Sequence, residues 1–273
     1  MATLKNFIKG IKYFIRKINA SKIGAFSAQT AFFMFLSFIP LILLFLNLSQ
    51  KLGANAERLI YVSKNFAPDF LNAFIETYIP EILTAENRSM TIISALVLLW
   101  SGSKGLFSII GGLNSVYGIK ENRNYFVLRL TAMLYTALFI LSLIVALVLF
   151  VFGAEISKII YLILPNPTVI ILIITSLRFF LGFLILGLFF TVIYHTLPCK
   201  SHSFSDQIPG AMIASAGWIS YSLLFSSFIE NFSNYSSLYG RLTATIVLLL
   251  WLYNCMYIMF VGAEINQILS IKI

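Results

Sequence analysis

LRLTAMLYTALFILSLIVALVLFVF, residues 128–152, is the stretch on which the fold turns. It is an almost unbroken run of Leu, Ile, Val and Phe. A bilayer core takes about 20 helical residues to cross, and this run is long enough. Five more runs of the same kind lie around it: Phe26–Leu48, Thr91–Leu113, Val169–Tyr194, Pro209–Ile229 (the weakest) and Leu242–Leu269. A soluble domain can bury one or two such segments, not six. Composition agrees, with 59% hydrophobic and only 11% charged residues over 273 positions, against about a quarter charged in soluble domains. The expectation is an all-α integral membrane protein with about six transmembrane helices.

Working outward, residues 1–24 form a separate amphipathic unit. Leu4, Phe7, Ile8, Ile11, Ile15 and Ile18 recur at helical spacing, and Lys5, Lys9, Lys12 and Arg16 take the other side. A basic amphipathic helix before a span belongs in the membrane interface, either as a topology anchor or as a docking helix. Residues 25–273 carry the six-helix domain. Its longest connection is the outer loop 52–88, where Leu59, Phe66, Phe70, Phe74 and Tyr78 are too apolar for a free loop and Pro68 and Pro80 divide it. Short helices lying on the outer leaflet explain both features.

Basic residues set the orientation. Lys5 to Lys22 precede the first run, Lys120, Arg123 and Arg129 lie between the second and third, and Lys200 follows the fourth. Acidic residues gather in the outer loop, among them Glu57, Asp69, Glu76, Glu81 and Glu86. Both termini are therefore expected on the cytoplasmic side. The net charge of +9 is mostly this asymmetry, together with attraction to anionic lipid. It is not a nucleic-acid footprint, because no compact basic domain carries it. Ala54-Asn55-Ala56 has the spacing of a signal-peptide cleavage site. The first run exceeds the roughly 7–15 residues of a signal core, so it is expected to remain. Cys199 and Cys255 fall at different depths, which argues against a disulfide.

Ionisable residues inside the runs are the functional clue, since a charge at bilayer depth costs at least about 2.5–3.5 kcal/mol. Lys104 sits about four turns into the second run, flanked by Ser101, Gly102, Ser103 and Gly105. Gly and Ser here suggest a kinked or broken helix lining a cavity, with Lys104 pointing inward. Snorkelling to the interface is the alternative. Arg178 lies roughly 13 Å into the fourth run, and fits either a structural ion pair or an anion site. Glu264, in VGAEINQIL, is the expected partner of Lys104. Pro40 is expected to kink the first span. The fifth run holds Gly210, Ala211, Ala214, Ser215, Gly217, Ser220, Ser222 and Ser226. That pattern suits close helix packing or a water-lined wall.

His195, Cys199, His202 and Asp206 cluster after the fourth run, but structural zinc sites use paired ligand clusters. The ordinary reading is a polar turn, with no metal and no cofactor. No nucleophile elbow, phosphate loop or zinc-hydrolase motif occurs. An enzyme is not expected.

Four blocks carry a family resemblance: SAQTAFFMFLSFIPLILL (27–44), LLWSGSKGLFSIIGGLNSVYGIKENR (98–123), YHTLPCKSHSFSDQIPGAMIASAGW (194–218) and YSSLYGRLTATIVLLLWLYNCMYIMFVGAEIN (235–266). Together they resemble the YihY/BrkB family of bacterial inner-membrane proteins, once labelled ribonuclease BN in what is considered a misassignment. The resemblance implies six transmembrane helices and links to envelope integrity and virulence. It falls on Pro40, Trp100, Lys104, Asn114, Tyr117, Pro198, Pro209, Gly210, Tyr239, Gly240, Trp251, Gly262 and Glu264. Arg178 lies outside the blocks.

The leading expectation is a transporter, or a translocase of lipids or lipid-linked molecules. Lys104, Arg178, Glu264 and Asn114 are its candidate binding residues, with gating at Pro40, Gly102 and Gly105. Membrane lipids are the expected partners. The alternative is a non-transporting scaffold in envelope assembly, meeting an envelope protein through residues 52–88. A ribonuclease is disfavoured, since a two-metal site needs a carboxylate cluster.

Overall fold

The structure is a computed structural model that describes residues 2–51, 88–141, 167–200, 202–231 and 242–271. Among the described residues there are seven helices and no strand. They are α1 (Ala2–Ala20), α2 (Ile23–Lys51), α3 (Arg88–Val116), α4 (Tyr125–Leu141), α5 (Pro167–Thr196), α6 (Phe204–Asn231) and α7 (Leu242–Ile271). The outer loop expected at 52–88 lies outside the described residues up to α3, as does the third apolar run beyond Leu141.

The six apolar runs fall on α2 through α7, the third only as far as Leu141 among the described residues. Four are long and apolar enough to cross a membrane, over Ile23–Ile42, Ile92–Val116, Phe204–Phe228 and Thr245–Ser270. The other two present shorter apolar stretches among the described residues, Tyr125–Leu141 and Gly182–Thr196. Each helix begins or ends a few residues outside its apolar run, because hydrogen bonding sets the boundary and hydropathy does not. In α6 the helix starts five residues before Pro209, with Asp206 in its first turn beside the positive end of the helix dipole.

A single helix organises the bundle. α7 packs on α6, α2 and α3; α2 packs extensively on α3, and α5 on α6. The elbow between α1 and α2 marks one end, here called the α1 end. Lys22 takes a left-handed φ of 54° there, which is unfavourable for a side-chain-bearing residue. Bonds to the core on both sides of the chain hold it: Ser21 Oγ donates to Glu264 Oε2 at 2.8 Å, and Ser115 Oγ donates to the Ser21 carbonyl at 2.9 Å.

Small residues fix how closely the helices approach. A Cβ at Gly210 would overlap the Gly262 carbonyl oxygen, and one at Gly262 would meet Ala214 Cβ and the Tyr194 hydroxyl, each at 2.7 Å. Gly112 makes room for the Phe260 ring. Gly210, Ala211, Ala214 and Ser215 are all buried. On this part of α6, the small residues serve close packing against α7 and α5.

The core is concentrated toward the α1 end, around Leu113, Phe190, Tyr194, Met259 and Phe260. Leu130, Leu134, Leu138 and Leu141 form an exposed stripe on α4. That is the apolar surface a bilayer would cover.

Candidate functional site

Lys104 lies on an uninterrupted helix. α3 runs continuously from Arg88 to Val116, so of the kinked or broken helix expected at Gly102–Gly105 the broken form is absent. The glycines have a packing role instead. A Cβ at Gly102 would lie 2.9 Å from Thr136 Cγ2 of α4, and one at Gly105 would make ordinary contact with Phe33 and Met34 of α2. One turn away, Ser37 Oγ donates to Ser101 Oγ at 3.0 Å across the α2–α3 seam. Pro40 is buried inside α2; lacking an N–H, it cannot donate to the Leu36 carbonyl.

The Lys104 ammonium does not meet Glu264. Its Nζ lies 5.5 Å from the Phe33 ring centroid and 5.8 Å from that of Trp100. Glu264 is fully buried beside Ser21. Gly105 packs beside Phe33 and Met34, about 12 residues along α2 from the elbow, or roughly 18 Å at 1.5 Å per residue. The two side chains are at different depths, and the expected pair is corrected on that ground. Aromatic faces supply the electrostatic partner that a carboxylate was expected to supply.

A second cation that sequence reasoning assigned only to topology shares this place. Arg129 of α4 puts its Cζ 4.6 Å from the Trp100 centroid, and its Nη2 donates to the Trp100 carbonyl at 3.3 Å. Its Nε is buried with no acceptor among the described residues. Trp100 itself is 56% exposed. Arg178 is on α5, which packs on α6, whereas Lys104 is on α3, which packs on α2 and α7. The Arg178 side chain lies outside the described residues.

The other candidates collect in a polar network at the α1 end. Asn114 is buried and fully engaged: Nδ2 donates to Glu121 Oε2 at 2.6 Å, and Oδ1 accepts from the Cys199 N–H at 2.9 Å. It ties the loop after α3 to the loop after α5. Arg123 completes the tie, donating from Nε and Nη2 to the two Glu121 oxygens at 2.9 and 2.8 Å and from Nη2 to the Leu197 carbonyl at 3.2 Å. The Arg123 bond holds the Glu121 carboxyl down to about 2, and the same bond raises Arg123. Both ends of this fork match a bidentate carboxylate–guanidinium pair.

Asn266 and Gln207, which sequence reasoning passed over, form the centre of the network. Asn266 Nδ2 donates to the Gln207 carbonyl at 2.9 Å and to its Oε1 at 3.2 Å, and Asn266 Oδ1 accepts from the Gly210 N–H at 2.6 Å. Tyr117 Oη donates to Gln207 Oε1 at 2.6 Å, and Tyr194 Oη donates to the Met259 carbonyl at 2.5 Å. Glu264 Oε2 accepts from Ser21, while Oε1 is buried with no partner among the described residues. The remaining polar-turn residues are also placed. His195 Nδ1 lies 2.7 Å from the His202 carbonyl, and the His202 ring is 4.6 Å from that of Tyr117. Burial holds the His202 imidazole below its usual value, with Lys200 acting in the same direction. Cys199 and Cys255 are both free thiols.

Comparison with known proteins places the chain in a wider set. The family described as Virulence factor BrkB matches residues 14–273. A protein of Bacillus subtilis named putative ribonuclease-like protein YfkH is 31% identical over 243 residues, covering 89% of this chain and 88% of that protein. A UPF0761 membrane protein of Vibrio vulnificus is 25% identical over 273 residues, covering 95% of this chain and 82% of its own length. A UPF0761 membrane protein of Aliivibrio fischeri is 26% identical over 247 residues, covering 88% and 76%. No solved structure matches.

Proposed function

Because the chain belongs to the Virulence factor BrkB family of membrane proteins, we propose that it moves an anionic lipid or lipid-linked molecule across the bacterial inner membrane. One observation carries the reading. Lys104 is the one cation between Ile92 and Val116 of α3, and among the described residues its neighbours are aromatic rings, with no carboxylate in ion-pair contact. Cation–π contact offsets part of the cost of a charge at that depth. It leaves the ammonium donors available to a phosphate-bearing group.

Moving such a group through hydrocarbon about 30 Å thick requires somewhere for its charge to pause. Lys104 supplies that place on a surface where Trp100 is open to the outside of the bundle. Pro40, beside the α2–α3 seam, is the candidate hinge, because the helix there lacks one backbone bond. Both termini are assigned to the cytoplasm on the bias of Lys and Arg toward the α1-end segments.

The ribonuclease-like name of the Bacillus relative is not carried over. RNA hydrolysis by grouped carboxylates needs oxygens free to bind metal or water. Glu121 is held by Arg123 and Asn114, and Glu264 is enclosed at Ser21. Asp206 lies apart on the α6 surface.

The test is reconstitution in liposomes containing a headgroup-labelled lipid. Wild type is expected to speed transbilayer movement, and Lys104→Ala to slow it toward the rate of empty vesicles. The proposal fails if wild type moves lipid no faster than Lys104→Ala and protein-free vesicles.

A further inference from the structure

We propose that Lys104 and Arg129, held at Trp100, form a binding site for the phosphate of an anionic phospholipid about one helical turn inside the headgroup–acyl boundary. The proposal deepens the reading above and rests on it for the class of ligand.

Two cations from two helices converge on one indole. Their charged centres lie 5.8 and 4.6 Å from the same ring centroid. Among the described residues, neither is in ion-pair contact with a carboxylate. Both charges sit beside one exposed indole in a medium of low dielectric, and a bound anion lowers the energy of each. The Arg129 Nε gives an independent indication, because it is a buried donor that finds no acceptor among the described residues. Buried donors ordinarily have one. Arg offers a planar fork and Lys a mobile point charge, the two ways in which proteins hold phosphate oxygens.

Depth selects a lipid over a soluble anion. Tyr125 is the first residue of α4, and its ring lies 6.1 Å from that of Phe107 on α3. Tyr is favoured where headgroups meet hydrocarbon. Arg129 is four residues further in, about 6 Å along the axis. On one side, exposed Lys120, Asn122 and Asn124 belong to a polar loop. On the other, Phe126, Leu130, Val97 and Trp100 expose apolar surface. A ligand touching both needs a phosphate at one end and acyl chains at the other.

The experiment measures binding, so it can succeed or fail independently of transport. The full chain with Trp218→Phe and Trp251→Phe leaves Trp100 as the one tryptophan of three. It is placed in phosphatidylcholine nanodiscs doped with brominated phosphatidylglycerol or, at equal fraction, brominated phosphatidylcholine. Bromine quenches Trp100 when the labelled lipid sits beside it. Phosphatidylglycerol is expected to be preferred about thirtyfold, the order that two cations give against anionic lipid. Lys104→Gln/Arg129→Gln should abolish the preference, while Lys120→Gln on the exposed loop and the charge-keeping Lys104→Arg should retain it. If the double variant does not fold, Lys104→Gln against Lys104→Arg makes the same comparison. Equal quenching by the two lipids, or a preference indifferent to the charge at Lys104, overturns the site. Relief of quenching by millimolar inorganic phosphate overturns the lipid assignment in favour of a soluble anion.

Discussion

Replacing Gly210 by Ala sets two opposite effects against each other. A helical Gly→Ala change ordinarily stabilises by about 1 kcal/mol through propensity. At Gly210 the new methyl would overlap the carbonyl oxygen of Gly262 and lie 2.5 Å from Asn266 Oδ1. A backbone carbonyl cannot rotate away, so α6 and α7 must separate, at an overpacking cost of about 1–3 kcal/mol. Separation also weakens the 2.6 Å bond from the Gly210 N–H to Asn266, and an unmet buried polar group costs about 1–3 kcal/mol more. The net expectation is destabilisation by about 1–5 kcal/mol. Gly182→Ala is the matched control. Nothing lies within 4 Å of its Cβ position, so the change should be neutral or stabilising by up to about 1 kcal/mol. Unfolding in mixed micelles can be followed by maleimide reaction of Cys255, which is fully buried, in a Cys199→Ser background. The α6–α7 backbone contact is refuted if Gly210→Ala exposes Cys255 at the same denaturant concentration as Gly182→Ala.

Two further outcomes follow from the α1-end network. The folded Glu121 carboxyl is held at about 2 against an ordinary 4.5, so its contribution is present above 4.5 and is lost as pH falls toward 2. The pair is partly solvated, which limits the effect to about 1 kcal/mol or less. Wild type should lose that much more stability than Glu121→Gln between pH 5 and pH 2; parallel thermal melts across the window would contradict the pair. The proposed cytoplasmic placement of the α1 end also predicts sided labelling. A membrane-impermeant maleimide should modify the half-buried Cys199 in inside-out vesicles and spare it in right-side-out ones, and the reverse pattern would invert the topology.

The sequence by itself determined the class of fold. Hydropathy is a local property, and 128–152 with its companion runs states that the chain is helical and lipid-solvated. The amphipathic pattern before the first run likewise sufficed for α1. The blocks carrying the family resemblance fixed membership without structure, and Lys104 was visible because a charge in an apolar run is conspicuous.

Its surroundings were not visible. Depth counted from the ends of apolar runs placed Lys104 with Glu264, but the contacts at Gly105 and Ser21 fall roughly 18 Å apart along α2. Gly102 and Gly210 have the same composition signal; only packing shows that one receives Thr136 and the other a backbone carbonyl. Arg129 looked like one more topology charge until α4 laid it on Trp100. Asn266 and Gln207 looked like ordinary amides near helix ends until α6 and α7 closed around them. Local chemistry selects helices and their solvent. Which side chains meet depends on register, rotation and crossing between helices, and those are settled by contacts between residues far apart in the chain.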